Sequence, residues 1–226
     1  MSIRVQIYTA QTVEEALDLA TLGVDHVGLT PSDLGLPGEI EISRARAIRD
    51  ALVGRARSVA LSVATDLPSI VEMTRSVRPD ILHLCGPPGA LGPSDLTKLR
   101  ARIGSMSIMQ AVAVTGSDAL GVARSFAPVV DYLLLDSVDP DIPGIGAAGT
   151  VHDWDVSAEI VASVSVPVIL AGGLSPANVA DAVTRVRPWG VDSLTHTNRR
   201  FGDGRFSKDL DLVAAFVAAA RGAVRT

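Results

Sequence analysis

The sequence predicts a single-domain (β/α)8 TIM barrel, an α/β fold in which eight parallel strands alternate with helices. Short apolar segments alternate with helical segments about eight times, at intervals of roughly 25–30 residues. The chain has 226 residues, is 47% hydrophobic and only 4% aromatic, so aliphatic side chains must fill the core. That composition suits parallel strands that are buried on both faces. No linker or shift in composition divides the chain, so we expect one domain over residues 1–226.

Composition and charge exclude several classes of function. A formal net charge of −5 argues against a general nucleic-acid-binding protein, which needs a basic face. No apolar run is long enough to cross a membrane, and the N-terminus lacks the features of a signal peptide. The single cysteine, Cys85, excludes an intramolecular disulfide and fits a reducing compartment. We therefore expect a cytoplasmic protein with a small-molecule partner, without nucleic-acid or membrane partners and without a cofactor; its oligomeric state is unknown.

The eight predicted strands are short and mostly apolar. They cover residues 3–8, 24–30, 58–65, 80–85, 107–114, 130–136, 168–171 and 191–195. The helices between and after them have apolar faces at helical spacing. They are predicted to cover residues 12–23, 44–52, 68–77, 94–103, 118–126, 157–164, 176–187 and 208–221.

Capping signals support several of these helices. Thr12 and Glu15 fit a capping box at the start of the first helix. We expect Ser94 with Asp95 to cap the fourth helix, and Ser175 with Pro176 to begin the seventh. Residues 137–153 are expected to form a long glycine-rich loop after the sixth strand.

The active site of such a barrel lies at the carboxyl ends of its strands. Asp136 ends the sixth strand among apolar residues, where burial can raise the pKa of its carboxyl group, so it is the best candidate acid or base. The alternative is a carboxylate that only caps the following loop. Gly172 and Gly173 end the seventh strand and open a helix, a pattern that favours phosphate binding over a plain turn. Asp192 is a weaker candidate because it could merely begin a strand.

His83 and Cys85 lie two residues apart on one strand, so their side chains share a face. With Asp136 they could bind a metal, but a hydrogen-bonded neutral histidine is the more common arrangement, and we assign no metal ligand. Cys85 could be a nucleophile or an inert buried thiol. The two lysines, Lys98 and Lys208, are expected on or at outer helices, which excludes a Schiff-base mechanism.

The C-terminal half of the chain contains four motifs in a fixed order. They are Asp131-Tyr-Leu-Leu-Leu-Asp136-Ser137, Gly146-Ala-Ala-Gly149-Thr-Val-His-Asp153-Trp154, Pro167-Val-Ile-Leu-Ala-Gly-Gly-Leu-Ser-Pro-Ala-Asn178 and Arg187-Pro-Trp-Gly-Val-Asp192. In these motifs the chain resembles the phosphoribosylanthranilate isomerase family, a family of (β/α)8 barrels in tryptophan biosynthesis. The N-terminal half resembles it less closely.

The resemblance implies an Amadori rearrangement, in which an acid opens the ribose ring and a base removes the C2 hydrogen. It assigns the acid to Asp136. The cysteine that acts as base in the family is replaced by Tyr8, and the arginine that holds the substrate carboxylate has no counterpart. Thr195 and His196 occupy the loop after the eighth strand, where a family glycine meets the phosphate.

Three hypotheses follow from these features. The first is an isomerase or related acid–base catalyst on a phosphorylated sugar, diverged from the family reaction, with Asp136 paired with Tyr8, His83 or Cys85. In this hypothesis the phosphate or substrate is held by a second group of residues, Gly172, Gly173, Asp192, Thr195 and His196. The second is a metal-dependent lyase or epimerase that uses His83, Cys85 and Asp136. The third is a non-catalytic barrel that binds a phosphorylated ligand.

Overall fold

A computed structural model describes residues 2–138, 144–146 and 149–224 of the chain. Eight parallel strands form a closed barrel in sequence order, and the barrel closes where β1 pairs with β8. The strands are β1 Arg4–Ile7, β2 His26–Leu29, β3 Arg57–Ser62, β4 Ile81–Leu84, β5 Ser107–Ala113, β6 Tyr132–Asp136, β7 Val168–Leu170 and β8 Gly190–Ser193. The predicted (β/α)8 barrel is confirmed.

Within the described ranges, eight α-helices surround this barrel. They are α1 Val13–Thr21, α2 Ile42–Leu52, α3 Leu67–Val77, α4 Pro93–Ile103, α5 Asp118–Phe126, α6 Trp154–Ser163, α7 Val179–Val186 and α8 Leu210–Gly222. A two-stranded antiparallel hairpin, β9 Asn198–Arg200 with β10 Phe206–Lys208, lies between β8 and α8. No helix of the described ranges is long and apolar enough to cross a membrane.

Side-chain alternation along the strands creates two separate apolar layers. One set of strand residues packs outward against the helices, as Leu82 and Leu133 do. The alternate set points into the barrel, where Val59, Ile81 and Leu134 form a smaller cluster. Because the interior set ends at the carboxyl edge of the sheet, the last inward residue of each strand is delivered to the barrel mouth.

The starts of α4, α6 and α7 differ from the sequence prediction. The cap of α4 is Gly92, whose amide donates to Asp95 Oδ2 at 3.1 Å, so Ser94 lies inside the helix. Helix α6 begins at Trp154, a turn earlier than predicted, because the Asp153 side chain accepts from the Asp155 amide.

The start of α7 was also predicted wrongly. Asn178, not Ser175, precedes its first residue, and the Asn178 side chain turns back to accept from the Ser175 amide at 2.8 Å. Its Nδ2 donates to the Gly173 carbonyl at 3.1 Å. The residues from Ser175 to Asn178 therefore form a separate turn that ties the glycine pair to the helix.

Gly28 is the point where β2 comes closest to the interior side chain of Tyr8. A methyl group added at Gly28 would lie 2.2 Å from Tyr8 Cδ1 and 2.3 Å from Cγ. Only a residue without Cβ therefore allows the Tyr8 ring to lie across the barrel interior.

Replacing Gly28 by alanine should destabilise the protein by about 1–3 kcal/mol, because the added methyl group overpacks a closed interior. Urea unfolding measures the change. Gly121→Ala, in α5 with open space around it, is the matched control and should leave the midpoint unchanged or raise it. Equal midpoints for Gly28→Ala and the parent would contradict the described packing.

Candidate active site

A pocket opens at the carboxyl ends of the barrel strands. Its described lining consists mainly of apolar side chains with a few titratable groups: Tyr8, Thr9, Thr30, Leu36, Pro37, Leu61, Val63, His83, Cys85, Leu134, Asp136, Ile145, Gly146, Asp192 and Leu194. The structure therefore brings all four predicted catalytic residues to one pocket. None of the lining side chains is a lysine or an arginine.

Three of these residues form a hydrogen-bonded chain on one wall. Tyr8 Oη lies 2.9 Å from His83 Nδ1, and His83 Nε2 lies 3.2 Å from Cys85 Sγ. His83 lies in β4 and Cys85 directly follows it; each is 2% exposed, and both side chains line the pocket, so they share a face as alternation predicted. Both nitrogens of the imidazole are therefore occupied by other side chains.

Burial keeps this wall uncharged. It lowers the pKa of His83 to about 3. It also raises the pKa of Cys85 well above the ordinary thiol value, and the nearby charges of Asp136 and Asp192 raise it further. The pKa of Tyr8 is raised for the same reason, burial first and then the charges of Cys85 and Asp192. A neutral phenol, imidazole and thiol are thus the stable forms.

Asp136 ends β6 and lines the same pocket. Burial raises the pKa of its carboxyl group to about 7, although hydrogen bonds from Ser137 partly oppose the shift. Oδ1 accepts from the Ser137 amide at 2.7 Å. The Gly146 backbone lies against Oδ2, since a Cβ at Gly146 would be 2.8 Å from that oxygen. The carboxyl group is held in place and can give or take a proton near neutral pH.

Asp192, near the end of β8, is a second buried carboxyl group with a raised pKa. Burial, and then the charge of Asp136, raises the pKa of Asp192 to about 8. Its Oδ1 is buried and has no hydrogen-bond partner among the described residues. Asp192 lines both the main pocket and a second, smaller recess around the glycine pair.

The smaller recess is lined by the predicted phosphate-binding residues. Gly172 and Gly173 both have positive φ angles, 79° and 62°, a conformation that glycine adopts readily and that lets the backbone approach a ligand closely. Thr195 and His196 form a short 3-10 helix at the opposite side of the recess. His196 Nε2 lies 3.2 Å from the Gly149 carbonyl oxygen, to which it donates.

The loop after β7 also needs glycine for packing. A Cβ at Gly172 would lie 2.6 Å from His152 Nδ1, and one at Gly173 would lie 2.7 Å from the Thr150 carbonyl carbon. His152 was not among the sequence candidates. Ser157 donates its only hydroxyl hydrogen to the Asp153 carbonyl, so His152 Nε2 is the donor to Ser157 Oγ at 2.9 Å. Residues 137–153 were predicted as a loop; of these, residues 139–143 and 147–148 lie outside the described ranges.

The position predicted for Lys208 is wrong. It lies in β10 rather than at an outer helix, and it is only 6% exposed. Its ammonium group donates to the backbone oxygens of Tyr8 and Leu194 and to the side chains of Thr197 and Asn198. Burial lowers the pKa of this amine to about 7. Lys208 therefore ties the end of β1 to the loop after β8, with its amine surrounded by oxygen atoms and outside the lining of the main pocket.

The loop between β2 and α2 supplies an apolar side to the pocket. The Glu39 carboxylate accepts from Ser32 Oγ and from the amides of Leu34, Gly35 and Leu36. These bonds fold the loop so that Leu36 and Pro37 reach the pocket. The negative charge of Glu39 is therefore stabilised by hydrogen bonds from its own loop.

The described residues contain no cluster of metal ligands that supports the hypothesis of a metal-dependent enzyme. Within the described ranges, no group of three histidine, cysteine or carboxylate side chains has the geometry to hold a metal ion. His83 and Cys85 are close to each other, but both imidazole nitrogens are engaged by Tyr8 and Cys85. The described side chains do not form the ligand set that a metal-dependent lyase requires.

Comparison with known proteins agrees with this architecture. Residues 8–219 match the family model described as N-(5'phosphoribosyl)anthranilate (PRA) isomerase. The N-(5'-phosphoribosyl)anthranilate isomerase of Haloferax volcanii is 39% identical over 220 residues, which cover 96% of this chain and 92% of that protein. The enzyme of that name from Methanocella arvoryzae is 33% identical over 218 residues, which cover 96% and 98%.

Solved structures show the same fold. The phosphoribosyl anthranilate isomerase of Thermotoga maritima has a TM-score of 0.79 and 25% identity, covering 97% of this chain and 99% of that one. A phosphoribosyl anthranilate isomerase in complex with reduced 1-(o-carboxyphenylamino)-1-deoxyribulose 5-phosphate has a TM-score of 0.76, 24% identity and the same coverage. We conclude that this chain is an isomerase-type enzyme that belongs to the N-(5'-phosphoribosyl)anthranilate isomerase family.

Proposed function

We propose that this protein catalyses an Amadori-type aldose–ketose isomerisation of an N-(5-phosphoribosyl) arylamine. The observation that carries the proposal is one pocket with Asp136 at the end of β6 and the Tyr8–His83–Cys85 chain at the ends of β1 and β4. An isomerisation of this kind needs one group that gives a proton and a second group that removes one. Both kinds of group are present, and the phosphate recess adjoins them.

Asp136 is the proton donor in this proposal. With a pKa near 7, a substantial fraction of its carboxyl groups is protonated at neutral pH. Transfer of that proton to the ring oxygen breaks the C1–O bond while the amine lone pair forms a C1=N bond. The products are an open-chain iminium cation and the Asp136 carboxylate, which stabilise each other in a low-dielectric pocket.

In this proposal the Tyr8–His83–Cys85 chain supplies the proton acceptor, and the recess around Gly172 and Gly173 holds the phosphate. Gly172 and Gly173 offer backbone donors, with Thr195 and His196 opposite them. Asp192 lines both regions, and in this proposal it contacts the sugar between them. A phosphorylated ligand is also supported by the relative that binds a deoxyribulose 5-phosphate derivative.

The pocket constrains the arylamine as well. Its described lining is apolar around Leu36, Pro37 and Ile145, and it offers no cationic side chain to an aryl carboxylate. The sequence of residues 139–143 and 147–148 contains no lysine or arginine either. The assay should therefore use N-(5-phosphoribosyl)anthranilate together with its carboxylate-free aniline analogue. A cytoplasmic location is part of the same proposal, since one unpaired cysteine suits a reducing compartment.

The Asp136 assignment predicts both a mutational and a pH effect. Asp136→Asn cannot donate the ring-opening proton and should lower kcat/KM by about 10²–10⁴-fold on whichever substrate is turned over. Because the raised pKa of Asp136 keeps the acid protonated below about pH 7, wild-type kcat/KM should be highest below that pH and fall above it. Steady-state kinetics from pH 5 to 9 measures both effects. Activity that survives in Asp136→Asn, or that rises with pH in the wild type, would count against the proposal.

The phosphate assignment predicts a glycine-specific loss of binding. Gly172→Ala should raise KM for the phosphorylated substrate by at least about tenfold, because its Cβ would displace His152 and distort the recess. Gly35→Ala is matched in backbone strain, since both glycines have φ of 79°, but nothing lies within 4 Å of its Cβ. Calorimetric titration with inorganic phosphate gives a second measure. Equal effects of the two alanine substitutions would contradict the assignment of phosphate binding to this turn.

A further inference from the structure

We propose that Cys85 removes the C2 hydrogen of the substrate, that His83 takes the proton of the thiol, and that Tyr8 holds His83 in the required tautomer. This assignment rests on the proposed isomerase function and names the proton acceptor within it. It also moves the acceptor from the end of β1 to the end of β4, onto the chain's only cysteine.

Hydrogen bonding sets His83 apart from the other two candidates. Both nitrogens of His83 are occupied, so the imidazole cannot reach a substrate without breaking one of its contacts. Sγ of Cys85 has His83 as its one polar partner among the described residues, and the side chain lines the pocket. Tyr8 Oη also lines the pocket with His83 as its one described partner, but a thiol is ordinarily more acidic than a phenol, with a pKa of about 8.5 against about 10, so Cys85 gives up its proton more readily.

The backbone of Cys85 fixes the thiol in the pocket. Its amide donates to the Ser62 carbonyl at 2.9 Å, and its carbonyl accepts from the Ile145 amide at 2.9 Å. The thiol is thereby held between β3 and the loop after β6, which also carries Gly146 against Asp136. A catalytic group needs this kind of preorganised placement to act efficiently.

The assignment requires one of the two possible tautomers of His83. In that tautomer the neutral thiol donates to Nε2 of His83, and the imidazole carries its own hydrogen on Nδ1 and donates it to Tyr8 Oη. Tyr8 thus selects the tautomer that leaves Nε2 free to accept the thiol proton. It acts as a positioning residue, as the buried acid does for histidine in a hydrolase triad.

Substrate chemistry supplies the charge that activates the thiol. Burial keeps the thiol and imidazole neutral in the free enzyme. Ring opening places an iminium cation in the pocket, and an opposite charge within about 4–6 Å favours the thiolate. The thiol proton then passes to His83 as the sulfur accepts the hydrogen from C2.

The protons balance over the full cycle. The electron pair of the C2–H bond forms the C1=C2 bond, and the C1=N electrons return to nitrogen, giving a neutral enaminol. The C2 hydroxyl then returns a proton to the Asp136 carboxylate as the carbonyl forms. C1 takes a proton from Cys85, and His83 returns its proton to the sulfur. No oxidant, reductant or other co-reactant is needed.

The test is the pH dependence of kcat/KM in His83→Gln, Cys85→Ala and Tyr8→Phe, measured on the arylamine substrate that the wild type converts. In His83→Gln only preformed thiolate can act, so kcat/KM at pH 7 should fall by about 10²-fold or more. The ratio of His83→Gln to wild type should then rise about tenfold per pH unit from pH 6 to 9, because one proton must leave the sulfur first. A purely structural role for His83 would lower activity by a factor that does not change with pH.

The other variants and controls complete the experiment. Cys85→Ala should lose at least about 10²-fold at every pH while binding inorganic phosphate as the wild type does. Tyr8→Phe keeps the ring and should show a smaller loss of the same kind. Met109→Leu, a volume-conserving change in the barrel interior, should keep wild-type activity.

Two outcomes separate the inference from the function on which it rests. If the wild type turns over no phosphoribosyl arylamine, the proposed function fails and the inference fails with it. If the wild type is active but Cys85→Ala stays within about threefold of it, or the His83→Gln ratio is flat with pH, only the assignment of Cys85 is overturned.

Discussion

Side-chain alternation in a closed parallel barrel is the constraint on which this site depends. Each strand directs alternate residues inward, and the last inward residue of each strand meets its counterparts at the mouth. Asp136, Cys85 and Asp192 are brought together in this way from β6, β4 and β8. A shift of one residue in any strand would turn its titratable side chain into the layer between sheet and helices.

Burial then decides what these side chains can do. The mouth has apolar walls and no described cationic side chain, so the charged form of every titratable group is disfavoured there. The carboxyl groups of Asp136 and Asp192 acquire pKa values of about 7 and 8, while the thiol and imidazole stay neutral. The titratable groups of the free site therefore keep their protons. We expect proton transfer to begin when a positive charge develops on the substrate. The Lys208 ammonium group donates to the backbone oxygens of Tyr8 and Leu194, and so joins the end of β1 to the loop after β8.

The sequence was sufficient for the fold and for the order of its strands. Periodic apolar segments and glycine or proline breaks predicted the barrel, and alternation predicted that His83 and Cys85 share a face. Lys208 was misplaced because the β9–β10 hairpin consists mostly of polar, exposed residues and has no strand periodicity. The cap of α7 was misplaced because Ser175-Pro176 matches a local capping signal, whereas Asn178 satisfies that turn in three dimensions. The contact between Tyr8 and His83 joins residues 75 positions apart, and only the closed barrel reveals it.

The central claim is that Cys85 moves the hydrogen between C2 and C1, and the reverse reaction isolates that step. The 1-arylamino-1-deoxyribulose 5-phosphate product has two hydrogens on C1, and removal of one of them does not require the ring to close. Proton NMR in D2O therefore follows the exchange of these hydrogens directly. The account predicts that the wild type exchanges one of the two, and that Cys85→Ala binds the product equally but does not exchange it. Exchange by Cys85→Ala at the wild-type rate would contradict the account.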